Sequence, residues 1–121
     1  SVSTLGSSRS HYEKQQNLLA MEELEQQITA EVRGAIRQVI TNKERIEATK
    51  AAEEFAKQAL AVEERKYELG LSNSFELLQF QANLANVTRN RLRAVIDYRK
   101  SIVAFYQTLG ITLENLNIKL E

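Results

Sequence analysis

At 121 residues the chain is at most one domain, and its 16 basic and 16 acidic residues cancel, so no net field draws it to nucleic acid or to an anionic membrane surface. It has no cysteine and a single histidine, His11, which excludes disulfides, thiolate chemistry and a His-rich metal centre or His-centred triad within one chain. No apolar run approaches the roughly 18 residues that a membrane helix needs, and the first residues lack a signal-peptide pattern.

Proline is absent, and only Gly6, Gly34, Gly70 and Gly110 interrupt a sequence rich in strong helix formers. The expected fold class is therefore all-α, with long helices of coiled-coil type. Residues 1–9 read as a flexible Ser-rich lead-in, and the opening on Ser1 rather than Met is expected of a processed product or an excised fragment. Ser10-His11-Tyr12-Glu13 has the spacing of a capping box and opens a first helix expected over about 10–69. Gly34 weakens that helix by about 1 kcal/mol against Ala without ending it. Gly70 can take the left-handed conformation just past a helix end, and Asn73 can cap a second helix, with Glu76 at the capping-box position. Only Gly70, Leu71 and Ser72 remain as turn, so the two helices run antiparallel. The second helix is expected over about 74–109, stopped by Gly110. The tail, 111–121, alternates apolar and polar residues and fits a short strand or an amphipathic turn equally well.

A helix over 10–69 is about 90 Å long and one over 74–109 about 54 Å. The second thus covers the first only from about Gly34 to Leu69, leaving Leu18, Met21, Leu24, Ile28 and Val32 without cover unless the tail doubles back. Each helix also carries two apolar seams. On the second, Leu77, Leu84, Val95, Tyr98, Ile102, Phe105 and Leu109 form one, interrupted by Gln81, Thr88 and Arg91. Leu78, Ala82, Ala85, Leu92, Ile96, Val103 and Tyr106 form the other. On the lower half of the first helix, Ala48, Ala52, Phe55, Ala59, Val62 and Leu69 make one seam, and Ala56, Leu60 and Tyr67 a second. The upper seam (Met21, Ile28, Val32, Ala35, Val39, Ile46) looks offset from the lower by one position, which would locally change the supercoil. Two seams on a helix imply neighbours on both sides: a wall of helices rather than an isolated rod.

Nothing in the sequence assembles a catalytic constellation, so no enzyme activity and no cofactor or metal is expected. His11 with Glu13 reads as first-turn surface decoration, and the Asn86-Val87-Thr88 glycosylation match lies mid-helix. Glu53 and Glu54 are adjacent and point apart, and no Glu-x-x-His pair supports a di-iron bundle.

The hairpin tip is more specific. Tyr67, Gly70, Leu71 and Ser72, the hydrophobic pair Leu77-Leu78, and the closing Phe105 or Tyr106 with Leu109 and Gly110 resemble the second-repeat hairpin of the TolC-like outer-membrane efflux protein family, over about residues 10–113. The resemblance implies a homotrimeric channel of the cell outer membrane, in which this segment forms part of a periplasmic helical tunnel and residues 111–121 sit in an equatorial region. It implies passive conduction, in drug efflux or type I secretion, with energy from an inner-membrane transporter. Gly70, Leu71, Ser72, Asn73 and Ser74 would dock a periplasmic adaptor protein, while Tyr67, Glu76 and Gln79 would stand at the tunnel entrance. Some members carry Arg and Asp where this chain has Ser72 and Gln79, so an Arg-held closed state and an acidic ring are not carried over; Glu76 keeps a carboxylate. On this reading the barrel and the first repeat lie outside the chain, which by itself is expected to self-associate, most simply as an antiparallel dimer of hairpins. The alternative is a structural or tethering coiled coil, such as an adaptor-protein hairpin or a four-helix-bundle dimer.

Overall fold

A computed structural model describes residues 2–120, with side chains from Thr4 to Ile118. Among these residues there are two helices and no strand. Helix α1 is Val2–Glu68 (67 residues) and α2 is Ser74–Leu120 (47 residues). Cross-helix partners descend along α2 as they ascend along α1 (Arg45 with Asp97, Glu53 with Arg91, Glu63 with Ser72), so the hairpin is antiparallel, as its short turn requires.

The helix bounds differ from expectation at both outer ends. Helix α1 begins at Val2 rather than near Ser10, so the capping-box residues lie within it. Glu13 pairs with Arg9 one turn earlier, at 3.9 Å, instead of closing a cap. Helix α2 passes through Gly110 to Leu120, and the tail is neither strand nor turn. A glycine stops a helix when it turns left-handed, and among the described residues only Gly70 does so, at φ 75°. With no proline behind it, Gly110 costs only propensity, and the following turns are packed: Thr112 is buried and Leu116 half-buried. The antiparallel register places them opposite the stretch from Leu24 to Val32, which is half-buried at Leu24, Ile28 and Val32. The tail therefore covers part of the upper α1 that was expected to be bare. The overhang is the difference between 67 and 47 residues, about 30 Å at 1.5 Å per residue. It still leaves Leu5, Tyr12, Leu18, Leu19 and Met21 exposed.

The packed seam on α1 is an unbroken heptad. Ile28, Val32, Ala35, Val39, Asn42, Ile46, Thr49, Glu53, Ala56, Leu60 and Glu63 recur at alternating intervals of four and three, and all are buried or half-buried. No offset separates the halves. The expected lower seam was the wrong one of two. Phe55 is 74% exposed, and Ala48, Ala52, Val62 and Leu69 are exposed as well, whereas the seam through Ala56 and Leu60 is the packed one. Four of its members are polar, which hides it in a hydrophobic pattern. On α2 the expected first seam is half right. Leu77, Leu84, Tyr98 and Phe105 are half-buried, but the second row of the packed heptad is Phe80, Val87, Ala94, Ser101 and Thr108. Val95, Ile102 and Leu109 are half-buried on its edge, and Gln81 is exposed. The fully enclosed apolar residues are small: Ala56 at 3% and Ala94 at 0% exposure. Such a thin core suits close backbone approach but buries little apolar area.

Most polar members of the seam are satisfied, either across it or within their own helix; the buried Thr112 hydroxyl is left without a hydrogen-bond partner. Arg91 Nε donates to Glu53 Oε2 at 2.8 Å, and Lys57 Nζ lies 3.6 Å from Oε1. Arg45 Nη1 meets Asp97 Oδ2 at 2.7 Å, while Asn42 Nδ2 donates to the Asp97 carbonyl at 3.5 Å. Thr49 and Ser101 bond back to their own helices, to the carbonyls of Arg45 and Tyr98.

The Arg91 hydrogen bond holds the Glu53 carboxyl below its ordinary value of 4.5. Burial opposes this shift, while the Thr88 hydroxyl and the charges of Arg91 and Lys57 reinforce it. A carboxyl depressed in the folded state stabilises the fold fully above its unfolded pKa, and that contribution is lost as pH falls through the folded one. Chemical denaturation of the chain should therefore show stability declining below pH 4.5, with a smaller decline in Glu53→Gln. Identical acid profiles for the two proteins would mean that the pair does not set the dependence.

Candidate functional site: the hairpin tip and the outer flanks

The tip is built by two caps placed back to back. At the end of α1, Leu71 N–H donates to the Lys66 carbonyl at 2.8 Å and Gly70 N–H to the Tyr67 carbonyl at 3.0 Å. This is the paired bonding of a Schellman motif, with the left-handed residue supplied by Gly70. Three residues on, Asn73 Oδ1 accepts from Glu76 N–H at 2.9 Å, and the Asn73 carbonyl takes the first helical bond, from Leu77 N–H, at 3.0 Å. Both ends of the turn are thus closed by local bonds, and its side chains are free to face outward.

Ser72 is the exception. It is half-buried, and its hydroxyl donates to Glu63 Oε1, a carboxylate only 4% exposed that also lies 4.0 Å from Lys66 Nζ. Ser72 therefore ties the turn to α1 besides standing at the apex. Leu71, by contrast, is 73% exposed. Gly70, Asn73 and Ser74 complete the apex, with Tyr67, Glu76 and Gln79 on its shoulders, all of them exposed.

Phe75, Leu69 and Leu78 are also exposed around Leu71, so the tip presents four large apolar side chains rather than one. Leu69, Leu71, Phe75 and Leu78 share no single helical period in the sequence, so only the folded turn groups them as one surface. The available signal was that Leu71 and Phe75 belong to neither packed heptad, an expensive choice for a mere turn.

The second feature is the pair of outer flanks. The second α2 seam stands in solvent over its whole length: Leu78, Leu92, Ile96, Val103 and Tyr106 are exposed, with the small Ala82 and Ala85 between them. The outer α1 seam, from Ala48 through Phe55 and Val62 to Leu69, is likewise uncovered except at the half-buried Ala59. Apolar stripes of this length on both edges of one hairpin, broken by Arg89 and Arg99 on α2 and by Lys66 on α1, are candidate interaction surfaces.

Among the described residues no helix is long and apolar enough to cross a membrane. Neither the curated proteins nor the solved structures yield a significant match to the chain. A family profile, however, matches residues 5–111, from the overhang of α1 through the tip to the turn after Gly110. Covering both helices and the tip between them, that match means the chain belongs to the outer membrane efflux protein family.

Proposed function

We propose that this hairpin is a segment of the periplasmic tunnel wall of an outer-membrane export channel, a passive conduit that meets a periplasmic adaptor through its tip. The observation that carries the reading is the second apolar seam on each helix. A hairpin that functioned alone would bury one face per helix, whereas a stave in a wall needs a neighbour on each edge. Residues of the overhang, Leu5 to Met21, would likewise be covered by further helices of the assembled channel. Homotrimeric assembly, an inner-membrane transporter as energy source, and Tyr67, Glu76 and Gln79 at the entrance belong to the same proposal.

At about 100° per residue, the two α2 seams lie roughly 150° apart by heptad position, close to the straight line that successive helices in a wide ring require. On α1 the angle is about 100°, which equally suits the corner of a four-helix bundle. An antiparallel dimer of hairpins is therefore the second reading.

The tip provides the test. Leu71→Arg should leave the helicity and melting of the chain unchanged, since the side chain stands in solvent and the turn is closed by backbone bonds. In the complete channel protein, expressed at matched outer-membrane levels, the same change should impair export, because a charge at a packed tip contact is desolvated without a partner. Unimpaired export with Leu71→Arg would leave the tip as a turn and remove adaptor docking from the proposal. Ser72→Glu is the contrasting variant. It sets a second carboxylate against buried Glu63 and should lower the melting temperature by itself.

A further inference from the structure

The hairpin is a ribbon with two wet sides, and their chemistry differs. Asp97 pairs with Arg45 on one side, where the groove between the helices is lined by Gln38, Asn42 and Ala104. On that side α2 presents Gln79, Asn83, Asn86 and Asn90, all exposed and spaced four, three and four apart, so they form one stripe along the helix. The stripe continues through Arg93, Asp97 and Lys100 to Gln107 and carries no apolar side chain larger than Ala104. The other side of the ribbon is led by α1, with Lys43, Glu47, Lys50 and Glu54 exposed at alternating sign, a self-neutralising solvated face.

The seam angles say which way a wall of such hairpins curves. Measured on the amide side, the packed and outer seams of α1 are about 100° apart and those of α2 about 205°. Their mean, about 155°, is below a straight line, so successive hairpins bend toward the amide stripe. The amide side is concave and, in a closed wall, faces the passage. Neutral amides hydrate a surface without holding ions of either sign.

Within that stripe the charge is unbalanced. Arg93 and Lys100 are exposed, seven residues and about 10 Å apart. The acid between them, Asp97, is bound at 2.7 Å by Arg45. The next acids on the stripe are Glu76 and Glu114, about 25 Å toward the tip and about 20 Å the other way. Both are beyond the Debye length of about 8 Å at physiological salt. Copies in a ring would repeat each cation at its own height, giving two like-charged rings about 10 Å apart, and rings of like charge in a confined aqueous passage select solutes by sign.

Resting on the tunnel reading, we propose that Arg93 and Lys100 form a cationic belt on the concave side of the wall, which makes the conduit favour small anionic solutes over cationic ones. The complete channel protein, reconstituted in planar bilayers under a potassium chloride gradient, reads this directly as a reversal potential. The double variant R93E/K100E should shift it toward potassium selectivity, and R93Q/K100Q should shift it less in the same direction. Lys43→Glu with Lys50→Glu, on the convex side, should leave it in place. Retained conductance with no shift in R93E/K100E overturns the belt, as does an equal shift from the Lys43 and Lys50 pair. An assembled protein that conducts no ions at all overturns the tunnel reading itself, so the two failures are separable.

Discussion

Ala94→Asp should destabilise the hairpin by about 3 kcal/mol more than Ala51→Asp, measured by urea denaturation of the chain. Ala94 is wholly enclosed between the helices, one turn from Arg91, whose guanidinium is already committed to Glu53. A carboxylate at residue 94 is too short to reach water past the seam. It must be buried unpaired or force the helices apart. Ala51 is exposed and off both seams, so it carries the same loss of helix propensity, about 0.5 kcal/mol, without the burial. Equal losses at the two positions would mean that the seam through Asn42, Glu53, Ala94 and Ser101 is not the packed one, and the outer seams would have to be reconsidered as the hairpin core.

The converse effect is expected at Ile96. Its side chain is exposed on the outer seam, so Ile96→Glu should change the stability of a single hairpin by about 0.5 kcal/mol or less. In the assembled channel the same residue would meet the adjacent helix. There Ile96→Glu, alone or with Val103→Glu, should abolish the oligomer, because a buried carboxylate without a partner costs several kcal/mol at every copy of a repeated contact. Native gel or cross-linking analysis of the complete protein reads this. An oligomer as abundant and heat-resistant as wild type would show that the seam faces solvent in the assembly too. Together, the Ala94 and Ile96 variants separate what holds one hairpin from what joins it to the next, which a single loss-of-function mutation cannot do.

The same division runs through the molecule. The absence of proline, the helix-forming composition and the Gly70-to-Asn73 turn chemistry are local properties, and they sufficed for an all-α antiparallel hairpin with its turn correctly placed. Backbone bonding within a few residues decides such features, and each is written in adjacent positions. The two apolar stripes on each helix were equally legible, since heptad spacing maps directly onto helix faces. Tertiary structure alone decided which stripe on α1 is inside. Hydrophobicity favours the face with Phe55 and Val62, yet the face that packs carries Asn42, Thr49, Glu53 and Glu63. It can do so because Asp97, Arg91 and Ser72 arrive from the other side of the hairpin to meet Asn42, Glu53 and Glu63 while Thr49 bonds back to its own helix, and no one-dimensional pattern records a partner 38 residues away. The outer helix ends belong to the same class. Gly6 and Gly110 weaken a helix without forbidding it, so whether α2 stops or continues depends on whether Thr112 and Leu116 find α1 beneath them. They do, and the helix runs on.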